Sequence, residues 1–479
     1  MPRRPIRVVG APEGPLRAAL RGLRGGPGVP GDFPTEVLAE AERVTGVPRL
    51  PALDATDIPF FTLGRSASAG PGHALHLARR PGGFRVRYAV ADVAAFVPPG
   101  GALDTEAHRR ITTLCFPDGT VPLHPAPVAE RAASLLPGAV RPAVLWTLDL
   151  DADGRSVATD VRRALVRSRA RLGHQEAQKE IETGTAEEPV ALLKDIGRLR
   201  RALEAERGGV SLTVPELDVL EHDHTYRLAY RAPLPVQGWS EQISLLTGTA
   251  AAALMLAHGT GALWTLPAAP HGAIGRLRRG AYALRIDWPR HASYARLIRS
   301  LDPHLPHHAA FLQECTTLLR GAGCTVFRDG VLPPLTTHAA VAAPYAHCTR
   351  PLHRLADRYA SEICLAAVAN RAPPDWVLEA LDALPGETAE GGRRADAVEH
   401  ACLDTVAAAL LQGRVGEVFE GCVVDVQEDE PTLGTVQVEW PPVTAPVESA
   451  TTPLPLGERL RVRLTRAAPA AAAVRFTPA

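Results

Sequence analysis

Residues 84–110 read FRVRYAVADVAAFVPPGGALDTEAHRR. As far as Val97 the apolar residues alternate, the pattern of a strand with one buried face. PPGG at 98–101 then ends it, because proline brings no donor to a ladder and glycine turns the chain. Upstream, FFTLGRSASAGPGHALHL at 60–77 is apolar at both ends and glycine-rich between them. Downstream, PAVLWTLDLDADGRSVATDVRRALV at 142–166 reads as two strands about a DADG turn. Residues 51–175 are thus a mixture of strand and helix. Residues 176–380 are mostly helical, as in EQISLLTGTAAAALMLAHG and DRYASEICLAAVANRA, and EGGRRADAVEHACLDTVAAALLQ adds a further helix.

The two ends differ from this middle. Residues 1–50 read as a helical lead-in, with PEGPLRAALRGLR and PTEVLAEAERV separated by GGPGVPGDFP. From residue 413 short alternating segments, EVFEGCVVDV, GTVQVEW, RLRVRLT and AAVRF, suit a five-strand barrel of the OB type. AAPAAAA within this region reads as a linker or fray. The expected division is 1–50, 51–412 and 413–479.

The chain has 479 residues, with 52 basic and 52 acidic side chains, so its net charge is zero. That excludes a strongly basic field over the whole protein and leaves nucleic-acid contact to local patches. Aromatic residues are only 5%, which argues against a surface built on many base-stacking rings. Lys179 and Lys194 are the only lysines, and Asn370 is the only asparagine. Arginine abundance is therefore in part codon bias rather than design for RNA. No apolar run reaches the length of a membrane span, and MPRRPIRVVG lacks a signal-peptide core. Seven scattered cysteines, with no CxxC, suit a reduced cytoplasmic chain.

YAVADVAAFVPPGGALDTEAHRR, FPDGTVPLHP, LLPG, RPAVLWTLDLDADG and VRSRARLGHQEAQ together resemble the catalytic RNB domain of the RNase II/RNase R family. PYAHCTRPLHRLADRY at 344–359 is similar to that family's Y-A-x-x-T-S-P-I-R-x-Y-x-D segment. The resemblance covers roughly residues 51–479. It implies an α+β fold of the RNB type with a helical N-terminal segment and a C-terminal OB-type barrel. It also implies hydrolytic 3′→5′ exoribonuclease chemistry, with aspartates of a D-P-x-x-x-x-D-x-D-D motif holding magnesium through hard oxygen ligands.

The chain departs from the family at that motif. In register, the four acidic positions fall on Gly64, Gly70, Gly72 and His73, and no carboxylate remains between Phe61 and Leu77. Glycine has no donor, and a lone imidazole suits zinc or copper better than magnesium. Magnesium is therefore expected only where the family's chemistry survives, and no other cofactor is implied. A tyrosine that stacks on RNA in the family falls on Cys115, and the arginine after P-I falls on His353 with Arg354 beside it. Glu399 matches a glutamate near the family's scissile phosphate, while Asp92 and Asp357 match scaffold positions.

The expected partner is the 3′ end of a single-stranded RNA, or a tRNA, and no membrane. Arg354, Arg167, Arg169 and Arg171 are the candidate RNA contacts, the last three from the six-arginine run RSVATDVRRALVRSRAR at 155–171, whose alternative reading is a solvated face. His73, Cys115, His353 and Glu399 are the candidate catalytic groups of a repurposed enzyme acting on a group carried at an RNA 3′ end, such as an aminoacyl ester. A thiolate–imidazole pair between Cys115 and His73 or His353 is one form of this. Asp54 and Asp57 are either substitute metal ligands or turn residues, and EHDH at 221–224 and PHLPHH at 303–308 read as solvated loops. Residues 413–479 hold six arginines against nine acids, a poor composition for a basic RNA groove.

Overall fold

A computed structural model describes residues 6–9, 14–64, 70–222 and 225–479. The strand Gly83–Ala91 forms as its alternation requires, with Phe84, Val86 and Tyr88 buried and Arg85 and Arg87 more open. It pairs antiparallel with His73–Arg80 on one side and Val140–Asp151 on the other, placing Tyr88 between Leu75 and Trp146. Ser156–Leu172 follows Val140–Asp151 across the DADG turn. Phe60–Leu63 then pairs antiparallel with His73–Arg80 and parallel with Ser156–Leu172, and this parallel pair closes a five-stranded barrel. The sequence reading contained the strands about the turn but not the closure.

One face of the barrel, with Leu75, Leu77, Val86, Tyr88, Trp146 and Leu148, shares a core with the helices Glu188–Glu206, Pro235–His258 and Leu355–Val368. The other face is built largely of alanine, namely Ala74, Ala89, Ala143 and Ala164, with Phe60, Leu145 and Val166. Helix Pro235–His258 is apolar nearly all round and lies deep. It ends at Gly259, whose φ of 81° is the left-handed cap that glycine adopts without strain. At Gly248 it approaches Tyr345 so closely that a Cβ there would lie 2.2 Å from Tyr345 Cε2.

The N-terminal segment is not purely helical. Ile6–Val9 is a strand, parallel to Glu216–His222. Helix Pro15–Arg24 buries Leu16 and Leu20 against Ala395, Val398 and Cys402 of helix Leu384–Leu411. Helix Thr35–Gly46 buries Val37, Ala41 and Val44 beside Phe96, Val97 and Leu103. The lead-in thus shares its cores with the central region.

Residues 418–478 form a second closed barrel from Val418–Val426, Leu433–Val438, Thr444–Glu448, Arg459–Ala468 and Ala473–Pro478. The fifth strand lies between the third and the fourth, which is OB topology. AAPAAAA is part of this barrel rather than a fray: Pro469–Ala471 is a single helical turn linking the last two strands.

Candidate functional site

The chain leaves strand Phe60–Leu63 at Gly64, whose N–H donates to the carbonyl of Leu172 at 3.1 Å. Residues 65–69 lie outside the described residues. The chain returns at Gly70, and Pro71 O accepts from Leu135 N at 2.8 Å and Ser134 Oγ at 3.4 Å. A Cβ on Gly70 would lie 1.9 Å from Ser134 Oγ and 2.4 Å from its Cβ. Ser134 therefore fills the space a side chain at position 70 needs. Gly72 accepts from Ala91 N at 2.9 Å, and a Cβ there would meet Leu352 at an ordinary 3.4 Å.

His73 opens strand His73–Arg80 and lies against Tyr88, ring centroids 5.3 Å apart. Enclosure, with the charge of Arg350 and the neighbouring His353 and His174, pushes its imidazole down to about 4, so it is neutral at pH 7. Three glycines and a neutral imidazole do not fit magnesium, which needs several hard oxygens. Among the described residues no group of three or more His, Cys, Asp or Glu could hold a metal ion.

The substitute carboxylates have other roles. Asp54 accepts from Thr56 N at 2.9 Å, and the bonds from Thr56 hold its carboxyl below the usual range. Asp54 is thus a turn residue, the second of the two alternatives. Asp57 receives Arg169 Nη2 on its backbone carbonyl at 3.1 Å.

Segment 344–359 supplies the opposite wall. Asp357 is fully buried and accepts from Arg350 N at 2.7 Å, Arg354 Nε at 2.9 Å and Arg354 Nη2 at 2.8 Å. The fork of Arg354, expected on RNA, is thus committed inside the fold, where it acts as a clamp. Asp92 has the same scaffold character, bonded to Arg163 Nε at 2.7 Å, while Arg163 also pairs with Glu362.

Arg350 differs from Arg354. Its side chain is exposed, and among the described residues its guanidinium has no hydrogen-bond or ion-pair partner. Its charge nevertheless acts on His73, Tyr88, Glu241, Tyr345 and His353. His353 is exposed yet walled in by protein. That enclosure, with Arg350 and Arg354, pushes its imidazole down to about 4. Its Nδ1 lies 3.3 Å from Thr113 Oγ1, and its carbonyl accepts from Thr113 N at 2.9 Å.

Glu241 and Ser244 stand one turn apart on helix Pro235–His258, with Ser244 Oγ 3.0 Å from Tyr88 OH. Enclosure raises the carboxyl of Glu241 although its side chain is open to solvent. Groups that are both enclosed and solvent-accessible line a concavity. His73, Glu241 and His353 are such groups and, with Arg350 and Ser244 beside them, wall one recess over the buried Tyr88. Sequence reasoning named only the two histidines. A signal for Arg350 was present, since arginine stands where the quoted family segment has serine. Nothing comparable marked Glu241 or Ser244.

The other two catalytic candidates lie together elsewhere. Cys115 is exposed on hairpin 114–121, and Glu399 projects from helix Leu384–Leu411. Both act, with Asp118 and Arg24, on Cys402, whose thiol burial pushes up to about 12. The four candidates therefore fall into two sets, His73 with His353 and Cys115 with Glu399.

The arginine run divides in a similar way. Arg155 pairs with Asp153 and Glu206, Arg162 with Asp160, and Arg163 with Asp92. Arg167 and Arg169 are exposed and Arg171 half-buried, at alternate positions of strand Ser156–Leu172. They run beside strand Phe60–Leu63, Arg171 opposite Thr62, and so lead toward Gly64. Of EHDH, Glu221 and His222 end strand Glu216–His222, and Asp223 and His224 lie outside the described residues. In PHLPHH, Pro306, His307 and His308 open helix Pro306–Cys315 rather than a loop, and His308 Nδ1 accepts from Asp302 N at 3.0 Å.

Comparison with known proteins agrees with this fold. Residues 53–370 match the RNB domain model, and residues 417–479 match the RNase II-type exonuclease C-terminal S1 domain. Exoribonuclease 2 of Vibrio vulnificus is 28% identical over 176 residues, 35% of this chain and 26% of that protein. The chain spans roughly a quarter to a third of the length of the curated relatives it matches first. Mycoplasma genitalium RNase R, solved with ribose-methylated single-stranded RNA, superimposes with a TM-score of 0.80 at 15% identity, over 97% of this chain and 78% of that one. Yeast Ssd1, described as a pseudonuclease, superimposes with a TM-score of 0.60 at 16% identity, over 84% of this chain and 51% of the other. By its fold and by the two matched domains, the chain belongs to the RNB family and carries an RNase II-type S1 domain over residues 417–479.

Proposed function

We propose that this chain binds the 3′ end of single-stranded RNA and does not hydrolyse it by the metal-dependent route of its family. The observation that carries this reading is the donor set between strands Phe60–Leu63 and His73–Arg80. Gly64, Gly70 and Gly72 offer no side-chain oxygen where the family motif has carboxylates, and Ser134 occupies the side-chain space at position 70. The surrounding scaffold is retained, with Asp357 holding Arg354 and Asp92 holding Arg163. The likeness to an RNA-bound RNase R and to a pseudonuclease supports the same reading. The test is a matched assay with a labelled 3′-overhang RNA in magnesium or manganese. Retarded but intact RNA is the expected result, and shortened RNA overturns the reading.

A second reading rests on the convergence of His73, His353 and Glu241 in one recess. Two imidazoles neutral at pH 7 beside an enclosed carboxyl are suited to proton transfer. On this reading the chain removes an acyl group from a charged tRNA. Loss of that group, abolished in His73→Ala, supports it. A charged tRNA that survives with the unmodified protein removes it.

A further inference from the structure

We propose that Arg350 takes over the electrostatic task of the missing metal, so that the recess binds the phosphates at an RNA 3′ end without any divalent cation. The inference rests on the RNA-binding reading above and specifies how that binding is achieved.

Two guanidiniums lie four residues apart in RPLHR, and the fold treats them differently. Asp357 neutralises Arg354 through two hydrogen bonds and also accepts from the backbone N–H of Arg350. The backbone of Arg350 is therefore pinned to a buried carboxylate, while its side chain is exposed, with no acceptor among the described residues, and its charge reaches His73, Glu241 and His353. A guanidinium that spends its fork on no protein acceptor keeps all its donors for an incoming phosphate, which it can bind through charge-assisted bonds. Because the mount is fixed before binding, little order is lost when the phosphate arrives.

The neighbours suit the same ligand. Gly72 packs on Leu352, two residues from Arg350, so the strand carrying His73 meets the loop carrying Arg350 at the position of the lost metal motif. His73 and His353 are neutral, so each ring keeps one N–H to donate without adding a like charge beside the guanidinium. Glu241 is the acidic group of the recess that Arg350 acts on, and its enclosure favours the protonated form, which weakens its opposition to an anion. Ser244 adds a half-buried hydroxyl, 3.0 Å from that of the buried Tyr88.

The experiment uses the full chain and a fluorescein-labelled single-stranded oligoribonucleotide, with binding read by anisotropy in EDTA and in magnesium at matched ionic strength. The expected Kd is the same in both buffers to within about twofold, since no step depends on the metal. Arg350→Ser, which installs the residue of the quoted family segment, is expected to weaken binding by roughly tenfold or more. It should also reduce the slope of log affinity against log salt by about one. Arg350→Lys is expected to keep the slope and lose part of the affinity, because it retains the charge but not the fork. Thermal midpoints of both variants close to that of the unmodified protein show that the fold is retained. Binding lost in EDTA overturns the inference, as does unchanged binding by Arg350→Ser, and both leave the RNA-binding reading standing. No binding in either buffer removes the RNA-binding reading and the inference with it.

Discussion

A single glycine shows how far residue identity reaches. That positions 64, 70 and 72 offer no carboxylate was plain in the sequence, because glycine has no side-chain ligand whatever surrounds it. That Ser134 had closed over position 70 was not, since the two segments are joined only by the folded chain. Gly70→Asp is therefore expected to destabilise the protein by about 1–3 kcal/mol, the usual cost of overpacking. Ser134→Gly in the same chain should recover much of that loss in urea unfolding. Gly72→Asp, where a Cβ meets only Leu352 at 3.4 Å, should cost less. Arg354 teaches the converse lesson. Its sequence neighbourhood pointed to RNA, yet its charge is balanced by Asp357 three residues later, a pairing set by the first turn of helix Leu355–Val368.

Individual strands were legible because alternation is local. FRVRY places Val86 and Tyr88 inward and Arg85 and Arg87 outward, as a period of two requires. Barrel closure was not legible, because it depends on the parallel register of Phe61 with Ala170, more than a hundred residues away. The OB-type barrel was easier to recognise, its strands being short, successive and separated by turns. What ties the first barrel to its helices is the buried group of Asp92, Arg163 and Glu362, spanning strand Ser156–Leu172 and helix Leu355–Val368. Arg163→Ala would leave two buried carboxylates uncompensated and is expected to cost about 3–5 kcal/mol in denaturant unfolding. Arg162→Ala, one residue away and paired only at the surface with Asp160, should cost about 1 kcal/mol or less.

For the molecule as a whole, zero net charge means that affinity for RNA must come from few contacts. In the second barrel Arg414, Arg459 and Arg461 are each paired with a glutamate, so they have little charge to offer. Arg461→Ala should leave RNA affinity within about twofold, whereas Arg167→Ala with Arg169→Ala should lower the salt slope by about two. Stability will also depend on acid. His124, His338 and His73 are pushed down to about 3, 4 and 4, each by burial first, from an ordinary 6.5. Between pH 6.5 and 4 the unfolded chain binds protons that the native chain refuses, so stability is full above 6.5 and falls as pH drops through that window. Calorimetry at fixed salt should show the midpoint falling by roughly several degrees per pH unit there. The hydroxyl of Ser134 beside Gly70 also bears on what mutation can reach from this sequence. One base change converts a glycine codon to aspartate or glutamate, so a carboxylate at position 70 is a single mutation away. With the neighbouring volume already taken by Ser134, that first step is penalised before any metal can reward it, and the glycine is held in place.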